Sequence, residues 1–137
     1  MTNELDTRPM KIEHFLAVME QNEKFYPEYA KLSLEDKIKV AQLNIDTGIA
    51  ESHYIDGKLI GVTGIRYRGI GEAWFIVNPE IRANKFLLFK RTQKTLPRMR
   101  DAIGIWRLYA TSKISENFLK HLGYEPEPTM FCWTRTE

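Results

Sequence analysis

Near its middle the sequence changes period. The run SLEDKIKVAQLNIDT reads as a helix, whereas AESHYI and KLIGVTGIRYRG are β-branched and aromatic, and they flank Asp56-Gly57. Asp-Gly between two such runs is the strongest short hairpin signal, because the tight turn that matches strand twist needs positive φ at both central residues. Strands near 50–55 and 58–67 are therefore expected to be antiparallel neighbours.

The segments on either side extend the pattern. A short strand is expected near Leu5 to Arg8, then a first amphipathic helix in KIEHFLAVMEQN, with Ile12, Phe15, Leu16 and Met19 at helical spacing. FYPEYAKL, with Pro27 and two tyrosines, reads as a loop packed on the core. Ser33 caps the second helix, Asp36 sits where a capping box wants an acid, and Gly48 is the expected stop. Gly69 and Gly71 mark the next turn, and EAWFIVN reads as a central strand buried on both faces, ended by Pro79. ANKFLLFKRTQKTL is helical, its apolar stripe made by Phe86, Leu87, Leu88 and Phe89, with Pro97 closing or kinking its end. IWRLYAT is a strand, SENFLKHLG a short helix, and TMFCWTRT a last strand. The order predicts an α/β fold, a mixed central β-sheet flanked by helices.

A chain of 137 residues suits one domain, 1–137, with one core. No apolar run approaches the ~18 residues a membrane span needs, and MTNELDTRP carries acids where a secretory signal needs an apolar core, so the expected location is cytoplasmic. The single cysteine, Cys132, has no partner for an internal disulfide and reads as a small strand hydrophobe. His14, His53 and His121 show no metal-ligand spacing. Charge is uneven: residues 1–56 carry a balance of −5 and residues 57–137 one of +7, which places any anionic partner on the second half. From Arg82 to Arg100 there are seven bases and no acid. A solvated helix face explains such a run. Its only interleaved aromatics, Phe86 and Phe89, sit at core-like spacing, which gives nucleic acid little support as a partner.

The element order and three local motifs resemble the GNAT superfamily of acetyl-CoA-dependent N-acetyltransferases. The likeness runs from TRPMKIEHF through the Asp-Gly hairpin to LKHLGYE. In that family a Val-x-Pro segment after the fourth strand leads into Arg or Gln-x-x-Gly-x-Gly or Ala, and Val77, Pro79 and Arg82 match in place. Successive amides at such a helix start, aided by the macrodipole, can cradle a pyrophosphate. Lys85 and Leu87 stand where the family has glycines, which puts side chains where the phosphates would approach. FLKHLGYE resembles the family segment Phe-Tyr-x-x-Leu-Gly-Phe, with Leu119 in place of a tyrosine that protonates the leaving thiolate, and Ser112 matches a polar residue, often Asn, before that helix. The Trp74-Phe75 pair, the basic helix and FLKHLGY also resemble the GNAT-like proteins of short-tailed bacteriophages, including a small internal virion protein.

The resemblance implies acyl transfer from acetyl-CoA to an amine acceptor. It places Ile76 and Val77 at the acyl group, Arg82, Ala83, Asn84, Lys85 and Leu87 at the pyrophosphate and Ser112 beside the cofactor, with Glu72 as base and Tyr109 or Tyr67 as acid. The rival expectation is a catalytically inactive GNAT-fold phage protein acting in virion assembly or as a binding module for a phage or host protein, favoured by Lys85, Leu87 and Leu119. A third is a nucleic-acid-binding module using the basic helix.

Overall fold

The computed structural model describes residues 5–67, 71–78, 85–104, 108–111, 125–127 and 132–135, with side chains for 6–67, 71–78, 90 and 92–104. The described elements are β1 (Leu5–Pro9), α1 (Ile12–Glu20), a 3₁₀ turn (Glu23–Phe25), α2 (Pro27–Ala30), α3 (Leu34–Asp46), β2 (Gly48–Ile55), β3 (Lys58–Tyr67), β4 (Gly71–Val77), α4 (Lys85–Ile103), β5 (Leu108–Thr111), β6 (Glu125–Glu127) and β7 (Cys132–Arg135). They build one mixed sheet in the order β1-β2-β3-β4-β5-β7-β6, in which β4 and β5 are parallel and the other pairs antiparallel.

The Asp56-Gly57 turn forms as expected, Asp56 at φ 50° and Gly57 at φ 80°, and joins β2 to β3. Ser33 caps α3 by accepting the Asp36 N–H at 3.1 Å. Four expectations are corrected. FYPEYAKL is not simply a loop: Pro27 opens the one-turn helix α2, because its missing N–H costs nothing at a first helical position. Gly48 does not stop α3. It begins β2 opposite Arg66, where a Cβ would lie 1.8 Å from the Ile65 carbonyl oxygen, so close strand approach is what demands glycine. Pro97 does not close α4, which continues to Ile103 and ends where Gly104, at φ 84°, donates its N–H to the Arg100 carbonyl at 3.0 Å. Gly71 is the first residue of β4, paired with Tyr67. The strand β6, paired to β7, was not expected, and the predicted helix 115–123 lies outside the described residues.

Sheet alternation sorts the core into two layers. On one face Val62 and Trp74 meet Met10, Phe15, Val18 and Met19 from α1 and its approach, and Ala41 of α3. The Trp74 indole meets the Phe15 ring edge-on at 5.9 Å and lies over Gly64, where a Cβ would approach it to 2.7 Å. Trp74 is thus a core residue, as expected of a large aromatic on a central strand. α4 packs on β2 and β3, with Thr92, Thr95, Leu96 and Met99 buried. Asn22, at 4 % exposure, closes the end of α1.

Candidate active site

The site is built on β4 and its parallel neighbour β5. Register partners between β4 and β5 are Gly71 with Leu108, Glu72 with Tyr109 and Ala73 with Ala110. β5 pairs with β4 over these three positions, and among the described residues no partner stands opposite Trp74–Val77. EAWFIVN is not buried on both faces throughout: Phe75, Ile76 and Val77 are half-buried.

The direction of the backbone groups follows from the ladder. Bonded and non-bonded pairs alternate in antiparallel sheets. Asn78 donates its N–H to the Ile60 carbonyl at 2.7 Å, so the bonded positions of β4 toward β3 are Ile76, Trp74 and Glu72. The Tyr67 N–H bond to the Thr47 carbonyl, 2.8 Å, fixes the same phase from the β2 side. Val77 therefore turns its N–H and carbonyl away from β3, toward the β5 side of β4, while the polar backbone groups of Ile76 are spent on Val62. The two residues expected to act together through their backbones face opposite ways.

Glu72 and Tyr109, the expected base and acid, are direct Cα partners across β4 and β5. The Glu72 carboxylate lies 3.3 Å from Nε of Arg66, its cross-strand partner on β3, with both side chains about a third exposed at 32 % and 31 %. Arg66 in turn lies over the Trp74 ring at 5.7 Å. The arginine was not anticipated; the pairing of Tyr67 with Gly71 is what sets Arg66 against Glu72. Tyr67, the other expected acid, ends β3 and is 46 % exposed.

Lys85 is the first residue of α4 and Leu87 lies in its first turn, so the helix begins where the phosphate-binding turn was expected to lead into one. Arg82, Ala83, Asn84 and Ser112 lie outside the described residues, as does Leu119.

On the α1 side of the sheet an open cleft of about 230 Å³ is bounded by Leu16, Glu20, Glu23, Tyr29, Leu34 and Lys37. Lys37 stands 3.7 Å from Glu23 and over the Tyr29 ring at 5.5 Å. The Tyr29 hydroxyl is buried with no hydrogen-bond partner among the described residues, and burial, helped by the charge of Glu23, raises its pKa. Of these residues only Tyr29 comes from FYPEYAKL; Leu16 and Glu20 lie on α1, Glu23 in the 3₁₀ turn, and Leu34 and Lys37 on α3.

No family model matches the sequence, and no curated protein does. Solved structures do match in shape. An acetyltransferase of the GNAT family from Bacillus anthracis superposes with a TM-score of 0.68 at 20 % identity, covering 99 % of this chain and 97 % of the other. A GNAT family acetyltransferase from Brucella melitensis, solved in complex with acetyl-CoA, gives 0.65 at 12 % identity over 98 % and 89 %. A spermidine N-acetyltransferase chimera from Vibrio cholerae and human sequences gives 0.71 at 14 % over 90 % and 81 %. The chain has the GNAT fold: a mixed α/β sheet flanked by helices, its fourth and fifth strands parallel.

Proposed function

We propose that this chain is a GNAT-like acyltransferase that moves an acyl group from acetyl-CoA to an amine. The observation that carries the reading is the ladder phase of Val77, which turns its backbone polar groups away from β3, to the side on which β5 pairs with Gly71, Glu72 and Ala73. A strand edge of that kind pairs with an extended amide chain as it would with another strand. The residues fit the cofactor at two places, the edge at Val77 and the α4 N-terminus at Lys85, which an arm ending in phosphates would span. Arg82, Ala83, Asn84, Lys85 and Leu87 would hold the pyrophosphate, and Ser112 would lie beside the cofactor. Lys85 substitutes charge for the amide contacts that a glycine would permit.

When bound, acetyl-CoA supplies an activated acyl thioester. The chain's own residues bind the amine, take its proton and return one to the departing sulfur. Glu72 takes the proton, and Arg66, 3.3 Å from its carboxylate, holds that group in place. Tyr109, its register partner, is the proposed acid. The cleft lined by Glu20, Glu23 and Tyr29 is the proposed seat of the acceptor, and its carboxylates suit a cationic amine.

A second reading takes the fold as a binding shell for a phage or host protein, in a virion or in the infected cell. It is favoured by the ion pair itself, in which the Glu72 carboxylate already has Arg66 as a partner. Calorimetric titration of acetyl-CoA, with the dephospho analogue as control, separates the two. Micromolar, phosphate-dependent binding supports transfer, and no heat at millimolar cofactor supports the shell. The double change Lys85→Gly and Leu87→Gly refines the result. Weaker binding makes Lys85 a working substitute, and binding gained only in the variant makes the native turn a blocked one.

A further inference from the structure

We infer that Asn22 is a positioning residue for the acyl carrier, setting the hydrogen-bonding character of the β4 edge at Val77. The inference rests on the acyltransferase reading above. Asn22 sits just past α1 and is 4 % exposed, an unusual place for an amide unless its polar atoms are satisfied. Its Nδ2 donates to the Val18 carbonyl at 2.8 Å and to the Val77 carbonyl at 3.0 Å. Both partners can only accept, so the amide orientation is fixed by chemistry and both of its N–H groups are used. Its backbone is held as well, the N–H donating to Met19 at 3.0 Å and the carbonyl accepting from Phe25 at 2.9 Å.

The carbonyl that Asn22 takes is the one that matters to this edge. Val77 turns its polar groups away from β3, and among the described residues β5 pairs with β4 only as far as Ala73. Left alone, this residue would offer an incoming strand-like ligand an acceptor and a donor side by side. With the carbonyl engaged by Asn22, the edge presents the Val77 N–H as its readier group. A donor edge selects a ligand carbonyl, and so fixes the register in which an arm of alternating amide donors and acceptors lies along β4. Asn22 also belongs to the same turn as Glu20 and Glu23 of the cleft, so one residue ties the acceptor wall to the carrier edge.

The test is Asn22→Asp, which keeps the shape but turns a carboxylate oxygen toward the Val77 carbonyl, with Asn22→Ala beside it. Steady-state kinetics, acetyl-CoA calorimetry and thermal unfolding are measured for each. The expected result for Asn22→Asp is a KM and Kd for acetyl-CoA raised about tenfold, the scale of one hydrogen bond's preorganisation, with kcat within about twofold. In amide NMR of the wild type, acetyl-CoA should shift the Val77 N–H and leave the Asn22 side-chain signals in place. A variant that loses thermal stability yet keeps wild-type KM and Kd would overturn the inference and leave Asn22 a fastening of the fold. So would displacement of the Asn22 signals by acetyl-CoA, since the ligand would then be taking the carbonyl itself. Wild-type protein that binds no acetyl-CoA at all overturns the acyltransferase reading, and this inference falls with it.

Discussion

His14 shows how much one side chain can be asked to do. On α1 its Nδ1 accepts the Lys11 N–H at 3.1 Å, which closes the N-terminus of the helix, and lies 2.8 Å from the Ser52 hydroxyl, while Nε2 meets the Tyr54 hydroxyl at 2.9 Å. A backbone N–H can only donate, so Nδ1 is unprotonated, Ser52 donates to it and Nε2 carries the hydrogen. Burial lowers the pKa of His14; Glu13 opposes the shift, and Lys11 and Arg8 add to it. A lowered folded value means that the unfolded chain binds the proton more readily. The stability His14 contributes is whole above its ordinary value of 6.5 and is lost as pH falls from there through the lowered folded value. Urea unfolding between pH 7.5 and 5 should show that decline, and His14→Phe should flatten it. Glu72 is judged by different quantities. Its pair with Arg66 is a third exposed, so Arg66→Ala should cost at most about 1 kcal/mol in the same unfolding assay. If Glu72 is the base, Glu72→Gln should lower kcat by about a hundredfold or more, read in an acetyl-transfer assay with stability unchanged.

Among the elements, the β2–β3 hairpin carries the tightest constraints. Gly64 lies under Trp74, and a Cβ there would stand 2.5 Å from the Ile49 carbonyl and 2.7 Å from the indole. Gly64→Ala should therefore destabilise by about 1–3 kcal/mol, measured by denaturant titration, with loss of the near-ultraviolet signal of Trp74. At the turn the constraint is conformational, because Gly57 has open space around its Cβ position but a φ of 80°. Gly57→Ala should cost about 1–2 kcal/mol. The long helix α4 tolerates Pro97 because its ends are held, by Gly104 on one side and along its length by Arg98, which pairs with Glu51 of β2.

For the whole molecule the arrangement is a sheet covered by α1 and α3 on one face and α4 on the other, with the proposed carrier site at the end of β4 beyond its described pairs with β5. A ligand that fills this site binds only the folded state. Acetyl-CoA at a hundred times its Kd should accordingly raise unfolding free energy by about 2.7 kcal/mol in urea titrations, and the dephospho analogue at equal concentration should do less. The site also joins the two charge halves of the chain. The cleft with Glu20 and Glu23 lies on the acidic half, and the start of α4 on the basic half. A cationic acceptor and an anionic carrier would thus approach from surfaces of opposite sign.

Local chemistry was enough to read the hairpin at Asp56-Gly57, the Ser33 cap, the first three helical and extended periods, and Trp74 as core, because turn geometry, capping and burial depend on neighbours close in the chain. It also marked Glu72 and Val77 as residues of interest, through a motif resemblance rather than through any local physical signal. Position alone misled wherever a residue answered to a distant partner. Gly48 resembled a helix stop and instead answers to the backbone of β3, while Pro97 resembled a helix end and lies inside a helix held from both sides. Ile76 and Val77 are adjacent in the chain and opposite in direction, which only the ladder phase between β3 and β4 reveals. Asn22 carried no signal at all in MEQN. Its partner is 55 residues away, and hydrogen bonds across such separations exist only once the sheet has brought α1 and the end of β4 together.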